Sequence, residues 1–174
     1  MSNIVPEKIN NFNVYIDGEE QAGIADGNFP TGEFMTTEIR GGGIAGVIDS
    51  PGLGHMNSIT VELTWRAVTS MFMELMRPVA HTLDMYGEIL SFDAGRGEYV
   101  SHSVNVYMKA VTKSFDIGKL AVNDSQEGKT THEVYFMKVT YDGVEVLEVD
   151  KYDFIYRVKG VDYLAETRRA LGKM

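Results

Sequence analysis

The strongest constraint on the fold is a strict alternation of apolar and polar residues. In residues 59–66, the apolar positions Ile59, Val61, Leu63 and Trp65 alternate with Thr60, Glu62, Thr64 and Arg66. Residues 103–110 repeat the pattern, with Val104, Val106, Met108 and Ala110 at the even positions. A period of two places all apolar side chains of a strand on one face. The sequence therefore predicts half-buried strands, each with one face in the core and one in water.

Asp-Gly pairs indicate how these strands are connected. Asp142-Gly143 separates the predicted strands 132–141 and 144–158, and Asp17-Gly18 follows the predicted strand 13–16. Because Asp and Gly tolerate positive φ angles, such pairs are typical of tight hairpin turns between antiparallel strands. Residues 29–40 and 86–92 are further strand candidates. The 18 glycines and only 4 prolines also favour many turns over long helices.

Two short segments carry a helical pattern instead. Val68, Met71, Phe72, Leu75 and Met76 follow the helical spacing, and Pro78 ends the run. Residues 161–171 form the second segment, with Asp162 near its start and Gly172 after its end. The predicted fold is mainly β: an antiparallel β-sandwich or partial barrel with one or two short helices. We expect residues 1–174 to form a single domain.

Two long connections, residues 40–56 and 116–130, are unusual for a compact domain, in which such loops are commonly functional. Both carry apolar residues: Ile44, Val47, Ile48 and Leu53 in the first, and Ile117, Leu120 and Val122 in the second. Exposed apolar groups in loops need a partner surface, either in the same subunit or on a neighbour. The two connections are therefore candidate assembly elements.

Composition and motifs argue against several classes of function. The 16 Lys and Arg against 25 Asp and Glu give a net charge of −9, whereas a nucleic-acid binder needs a basic face. Cysteine is absent and the four histidines lie in separate segments, so we expect no metal and no cofactor. The glycines of residues 41–46 match a dinucleotide fingerprint, but Pro51 leaves no room for the helix that it requires. We expect no enzymatic activity.

The start of the sequence and its hydropathy bear on membranes. Residues 1–10 lack the basic-then-apolar order of a signal peptide. The apolar runs stay well short of the ~20 residues that a membrane-spanning helix needs. We therefore expect no membrane anchor.

An aromatic cluster suggests an alternative function. Tyr152, Phe154 and Tyr156 alternate along the predicted strand 144–158 and would share one of its faces. Cross-strand packing explains such a ladder most simply. An exposed ladder would instead make the protein a monomeric β-rich binding module with a stacking platform.

The order of several motifs along the chain points to a known family. The hexapeptide NVYIDG (residues 13–18) is followed by GIA (23–25), the loop IRGGGIAG (39–46) and the strand that contains Trp65. YDGVEVLEVD (141–150) and the terminal VKGVDYL with RR, L and G (158–172) come later. Along nearly its whole length the chain resembles the major tail tube proteins of contractile-tailed bacteriophages. R-type bacteriocins use a closely similar tube, and the sequence does not separate the two.

The resemblance implies an architecture and a set of partners. The subunits of this family form six-membered rings that stack into a hollow tube, in which the sheets of neighbours join in one closed barrel. The tube is a conduit for DNA or, in a bacteriocin, for membrane puncture. The implied partners are other copies of the chain, the sheath protein outside, the tape-measure protein and transiting DNA inside, and baseplate or initiator proteins. The implied location is the virion tail, assembled in the cytoplasm of the bacterial host.

The resemblance and the residue pattern together select candidate sites. We expect inter-subunit contacts at Arg40, Ile44, Val47, Ile48, Leu53, Ile117, Leu120 and Val122. Because carboxylates repel phosphate, Glu38 and Glu62 are candidates for lining the channel. Assignment of both carboxylates to the outer face of the tube remains the alternative.

Overall fold

The fold was obtained as a computed structural model, which describes residues 3–21 and 23–173. The strands are β1 (Ile4–Ile16), β2 (Glu19–Glu20), β3 (Ile24–Gly27), β4 (Phe34–Ile39), β5 (Ile48–Met56), β6 (Thr60–Trp65), β7 (His81–Asp93), β8 (Glu98–Asp116), β9 (Gly128–Tyr141), β10 (Val144–Asp150), β11 (Ile155–Val158) and β12 (Val161–Asp162). The helices are α1 (Ser70–Glu74) and α2 (Ala165–Ala170). The predicted fold class, mainly antiparallel β with two short helices, is confirmed.

Ten of the strands form one antiparallel sheet, in which eight follow the order β12-β11-β10-β9-β8-β7-β1-β2 and β6 and β3 lie off this path. Strand β9 lies at its centre, because its first half pairs with β6 and its second half with β10. Strand β3 pairs with β6, and β4 and β5 form a separate two-stranded sheet. The sheet curls around a single core but does not close into a barrel within one chain.

The core is built from the predicted alternation. Val61, Leu63 and Trp65 of β6 are buried, whereas the intervening Thr60, Glu62 and Thr64 are half-exposed. Helix α1 covers one end of the core with Phe72, whose ring meets Trp65 edge-on at a centroid distance of 5.7 Å. Burial of such large apolar side chains supplies about 1.5–3 kcal/mol each.

A buried polar chain ties α1 to the sheet. Trp65 Nε1 donates to Thr130 Oγ1 (3.1 Å), and Thr130 Oγ1 lies 3.0 Å from Nε2 of the fully buried His132. Nδ1 of His132 lies 3.1 Å from Thr112 Oγ1, which donates to the carbonyl of Leu75 (2.6 Å). All hydrogen bonds of this series can form when His132 is neutral and carries its proton on Nδ1. Burial, with a smaller contribution from nearby His81, lowers the pKa of His132 to about 4.

The predicted turns at Asp17-Gly18 and Asp142-Gly143 are confirmed. Both residues of each pair have positive φ angles, 50° and 84° in the first turn and 46° and 79° in the second. A third turn of this kind, Lys159-Gly160 (46° and 82°), joins β11 to β12. This turn replaces the start of the helix predicted over 161–171, and Lys is an unusual residue at a left-handed position.

The prediction that residues 40–56 form an open connection is wrong in its second half. Residues 48–56 are strand β5, which pairs with β4 from Ile39↔Ile48 to Phe34↔Met56. The sequence did not predict this strand because it contains Pro51, Gly52 and Gly54, and proline and glycine are uncommon within strands. Proline and glycine are tolerated here because β5 pairs on one side only, with β4, among the strands described.

Three further predicted boundaries are wrong. The strand predicted over 144–158 is interrupted by a turn at residues 151–154, where Phe154 has a φ of 54°. Helix α1 is five residues long, and its start is capped by Thr69 Oγ1, which accepts from the N–H of Phe72. The second helix begins only at Ala165, because Val161–Asp162 pairs with β11 as a strand.

Candidate assembly surfaces

The first surface is a three-stranded extension of the sheet, here called the arm. It consists of residues 4–12 of β1, 87–93 of β7 and 98–102 of β8. Strand β7 is paired on both sides, but the outer side of β1 meets β2 only at Tyr15 and Ile16. Strand β8 meets β9 only from Val104 onwards. Within the described part of the chain, the arm therefore has two backbone edges without a strand partner.

The arm also exposes apolar side chains. Ile4, Val5 and Ile9 are between 42 and 48% exposed, and Tyr99 on β8 is 59% exposed. Residues 4–12 of β1 are exposed on both faces of the strand. Exposed edges with apolar side chains are the features by which sheets associate with other chains.

The second surface is the hairpin formed by β4, β5 and the tip between them. Its candidate contact residues Ile44, Val47 and Ile48 all have exposed side chains at or beside the tip, as does Arg40, whose Nε lies 3.6 Å from Glu38 Oε1. The base of the hairpin is docked on its own subunit. Phe34 packs edge-on against Tyr156 (5.5 Å between centroids), and Leu164 fills the space beside Gly54.

The third surface is the connection between β8 and β9, here called loop 117–127, which is shorter than the predicted 116–130 because the strands reach further. Its candidate residues Leu120 and Val122 are 104% and 99% exposed, and Ile117 is 47% exposed. Lys119 Nζ lies 2.9 Å from Asp124 and 3.2 Å from Glu127 across the loop. These contacts raise the pKa of Lys119, with the Asp124 contact as the larger cause. The loop therefore exposes apolar side chains to water, while the ion pairs of Lys119 link its two ends.

The fourth surface, here called the polar face, is the side of strands β1 and β6–β9 that is opposite the core. Asp84 and Glu88 lie on it because the alternate residues Leu83 and Met85 point into the core. Glu88 accepts from Asn10 Nδ2 and Ser101 Oγ (both 2.7 Å), and these bonds lower its pKa. Asp84 accepts from Tyr86 Oη, which raises the pKa of that tyrosine. Within the described residues, neither carboxylate has a Lys or Arg partner within 4.0 Å.

The two predicted channel residues lie in different parts of the molecule. Glu62 is on the polar face, where Lys129 Nζ lies 3.5 Å from its carboxylate. Glu38 is on the hairpin, outside the ten-stranded sheet. Asp84 and Glu88, which the sequence reasoning missed, lie on the polar face with no Lys or Arg partner among the residues that the structure describes. The alternation of Leu83, Asp84 and Met85 within β7 was the signal that could have found them.

The aromatic platform of the alternative hypothesis does not form. The turn at 151–154 separates the three rings: Tyr152 packs on Tyr135, Phe154 lies under the ammonium of Lys173, and Tyr156 packs between Phe34 and Tyr163. The nearby Glu148 is buried and paired with Arg157. Without a shared face, these aromatics cannot stack a ligand.

Comparison with known proteins identifies the family to which the chain belongs. The family model for the phage tail tube protein FII matches residues 6–172. The chain belongs to this tail tube family. The tail tube protein of Escherichia phage P2 is 25% identical over 175 residues, a match that covers 97% of this chain and 98% of the relative.

Family membership confirms the resemblance stated for the sequence. The protein is a structural subunit of a phage tail tube and a component of the virion tail. Neither of the helices described is long and apolar enough to cross a membrane. For the tail tube subunit, the surfaces described above are therefore candidates for contacts in self-assembly.

Proposed function

We propose that the tail tube subunit assembles head-to-tail into six-membered rings, which stack into a tube through which DNA passes. The two free edges of the arm carry this proposal. Ile9 of β1, Ile89 of β7 and His102 of β8 lie side by side, as do Ile4, Asp93 and Glu98. Both edges thus lie at the same height of the sheet, one on each side of β7.

This arrangement suits closure into a ring. Strands β1 and β8 are both antiparallel to β7, so β1 of one copy would lie parallel to β8 of the next. A contact between two different surfaces, repeated head to tail, gives a ring when the rotation closes. Each new backbone hydrogen bond contributes only about 1 kcal/mol net, so burial of the exposed apolar residues of the arm must add to it.

The polar face is proposed to line the channel. Its carboxylates Asp84 and Glu88 lack basic partners among the described residues and would repel DNA phosphate, with Glu62 partly neutralised by Lys129. The sheath protein would then contact the outside, the tape-measure protein would occupy the channel before DNA, and baseplate proteins would initiate the tube. The subunit performs no chemical reaction in this role. Assembly takes place in the cytoplasm of the host.

Electron microscopy of the purified protein at high concentration, combined with proline substitutions in β8, tests ring closure. Residues 98–103 pair with β7 without a bulge, so the N–H groups of Val100 and Ser101 point to opposite sides. One of the variants V100P and S101P removes a hydrogen bond to β7, and the other removes an N–H group from the free edge of β8. We expect the variant that changes only the free edge to remain folded and to form no rings or tubes. Normal tubes from a folded variant would contradict closure through β8.

Labelling of a single cysteine tests the channel assignment, because the natural chain has none. In tubes of E88C, a small maleimide should react, whereas a maleimide on a large polyethylene glycol should be excluded. The same variant before assembly should react with both reagents. Equal reaction of assembled tubes with both would place the polar face outside.

A further inference from the structure

We propose that the tip of loop 117–127 in one copy docks into an apolar groove beside the hairpin base of another copy. The inference rests on the proposed assembly and names the two surfaces that meet in it. Leu120 and Val122 are the docking side chains. The groove lies between β5 and the β11–β12 turn.

The groove is open and apolar. Its volume is about 380 Å³, and it is lined mainly by Phe34, Pro51, Leu53, Tyr156, Val158 and Tyr163. Leu53 and Tyr163 are 61% and 51% exposed although they face this concave surface. Aliphatic side chains of a partner would remove both from water.

The loop cannot fill the groove of its own subunit. The nearly complete exposure of Leu120 and Val122 shows that they touch almost nothing in their own chain. Loop 117–127 ends just before Gly128, the first residue of β9, whereas the groove residues Tyr156 and Val158 lie level with Met137 and Val139 of β9, on the far side of β10. Nine to eleven residues of strand separate the two sites by roughly 30 Å. In the proposed contact, a second copy therefore supplies the loop.

The loop is preorganised for docking. The N–H of Lys119 donates to Gln126 O (2.8 Å), and the N–H of Gln126 donates to Arg66 O (2.7 Å). Gly118 has a φ of +87°, and a Cβ at this position would lie 2.0 Å from Gln126 O. A backbone that is already fixed loses little entropy when it binds, so even two apolar side chains can contribute to affinity.

The charges around the two surfaces are complementary. Loop 117–127 carries Asp124 and Glu127 against Lys119, a net charge of 1 − 2 = −1. Residues 158–173, which include two groove residues, carry four Lys and Arg against Asp162 and Glu166, a net charge of 4 − 2 = +2. In a chain with a net charge of −9, this basic segment is exceptional. Opposite charges at the rims would orient the apolar tip toward the groove.

A disulfide cross-link tests the contact directly. The variant V122C/L53C places one cysteine on the tip and one in the groove of a chain that otherwise has none. After assembly and mild oxidation, we expect a ladder of covalent multimers on non-reducing gels, which reduction returns to monomer. The matched control V122C/V144C moves the second cysteine to an exposed site outside the groove and should give no ladder. Should the double variant not assemble, co-assembly of V122C and L53C chains with excess wild-type protein should give a covalent dimer.

The outcomes separate this inference from the function on which it rests. Tubes that form without a tip-to-groove cross-link, or that cross-link equally in the control, would overturn the docking while leaving tube assembly intact. Failure of wild-type protein to form rings or tubes would instead count against the proposed function.

Discussion

The interior and the protruding parts of this subunit differ in whether their apolar side chains are buried and their backbone polar groups have partners. Around Trp65, Phe72 and His132, apolar side chains are buried and the polar groups of the linking chain have partners in the same subunit. In the arm, two backbone edges have no strand partner among the described residues, and in the arm and loop 117–127 residues such as Ile9 and Leu120 are exposed. The interior stabilises the monomer, and in the proposed assembly the protruding parts would acquire their partners from other copies.

The largest difference in monomer stability is expected between alanine substitutions at two leucines. Leu63 is fully buried, whereas Leu120 is 104% exposed, so the same change to alanine probes both regions. L63A should lower the free energy of unfolding by about 2–5 kcal/mol because it leaves a cavity. L120A should change it by less than about 0.5 kcal/mol. Urea unfolding of both monomers measures the difference, and similar losses would refute the division into two regions.

Acid should weaken the interior through His132. Its pKa is about 4 in the folded protein against about 6.5 when unfolded, so the unfolded state binds the proton more readily. Stability is thus complete above about pH 6.5 and decreases as the pH falls toward 4, by about 3 kcal/mol in total. H132Q keeps hydrogen-bonding groups but does not titrate. In urea unfolding between pH 7 and 4, its stability should fall less than that of the wild type, and parallel curves would contradict this role.

Gly54 lies at the boundary between the two regions, where the base of the hairpin packs against Leu164, the residue directly before α2. An added Cβ would lie 2.5 Å from Leu164 Cδ1, and the φ of Gly54 is +67°. Gly97 has nearly the same φ, +71°, with no neighbour within 4 Å, and is a matched control. G97A should cost about 1–2 kcal/mol for the backbone alone, and G54A about 1–3 kcal/mol more. Equal losses in thermal unfolding would show that the hairpin base is not tightly packed.

The smallest effect on monomer stability is expected at the hairpin tip. I44D or V47D should change the free energy of unfolding by less than about 0.5 kcal/mol, because both side chains are exposed. Both should block polymerisation, since a charge would enter an apolar contact. Light scattering during assembly provides the measurement. Normal tubes from these variants would exclude the tip as an assembly element.

The sequence predicted the fold class and most of the interior because burial there follows one rule. The alternation in β6 and the Asp-Gly turns map directly onto buried faces and hairpins. The predicted strand and helix boundaries were wrong where a residue type occurs in more than one kind of structure. Pro51 and Gly54 lie in an edge strand, Gly160 lies in a hairpin turn, and Phe154 lies in a turn with a left-handed backbone.

The candidate surfaces were predictable only as segments. That Leu120 and Val122 carry apolar side chains is evident from the sequence, but their complete exposure and the distant groove depend on strand pairing. Asp84 and Glu88 were missed because the lack of an ion-pair partner depends on which residues of β1 and β8 lie beside them in the sheet. Local patterns specify which face of a strand is polar, but not which charges remain unpaired on it.

Hydrogen exchange of the arm, compared between monomer and assembled tube, tests the central claim most directly. In the monomer, amides of residues 4–12 and 98–102 that point away from β7 should exchange rapidly, whereas those of residues 61–65 should be protected. In the tube, the arm amides should become protected while the core amides change little. Arm amides that are already protected in the monomer, or that remain unprotected in the tube, would contradict closure through the free edges.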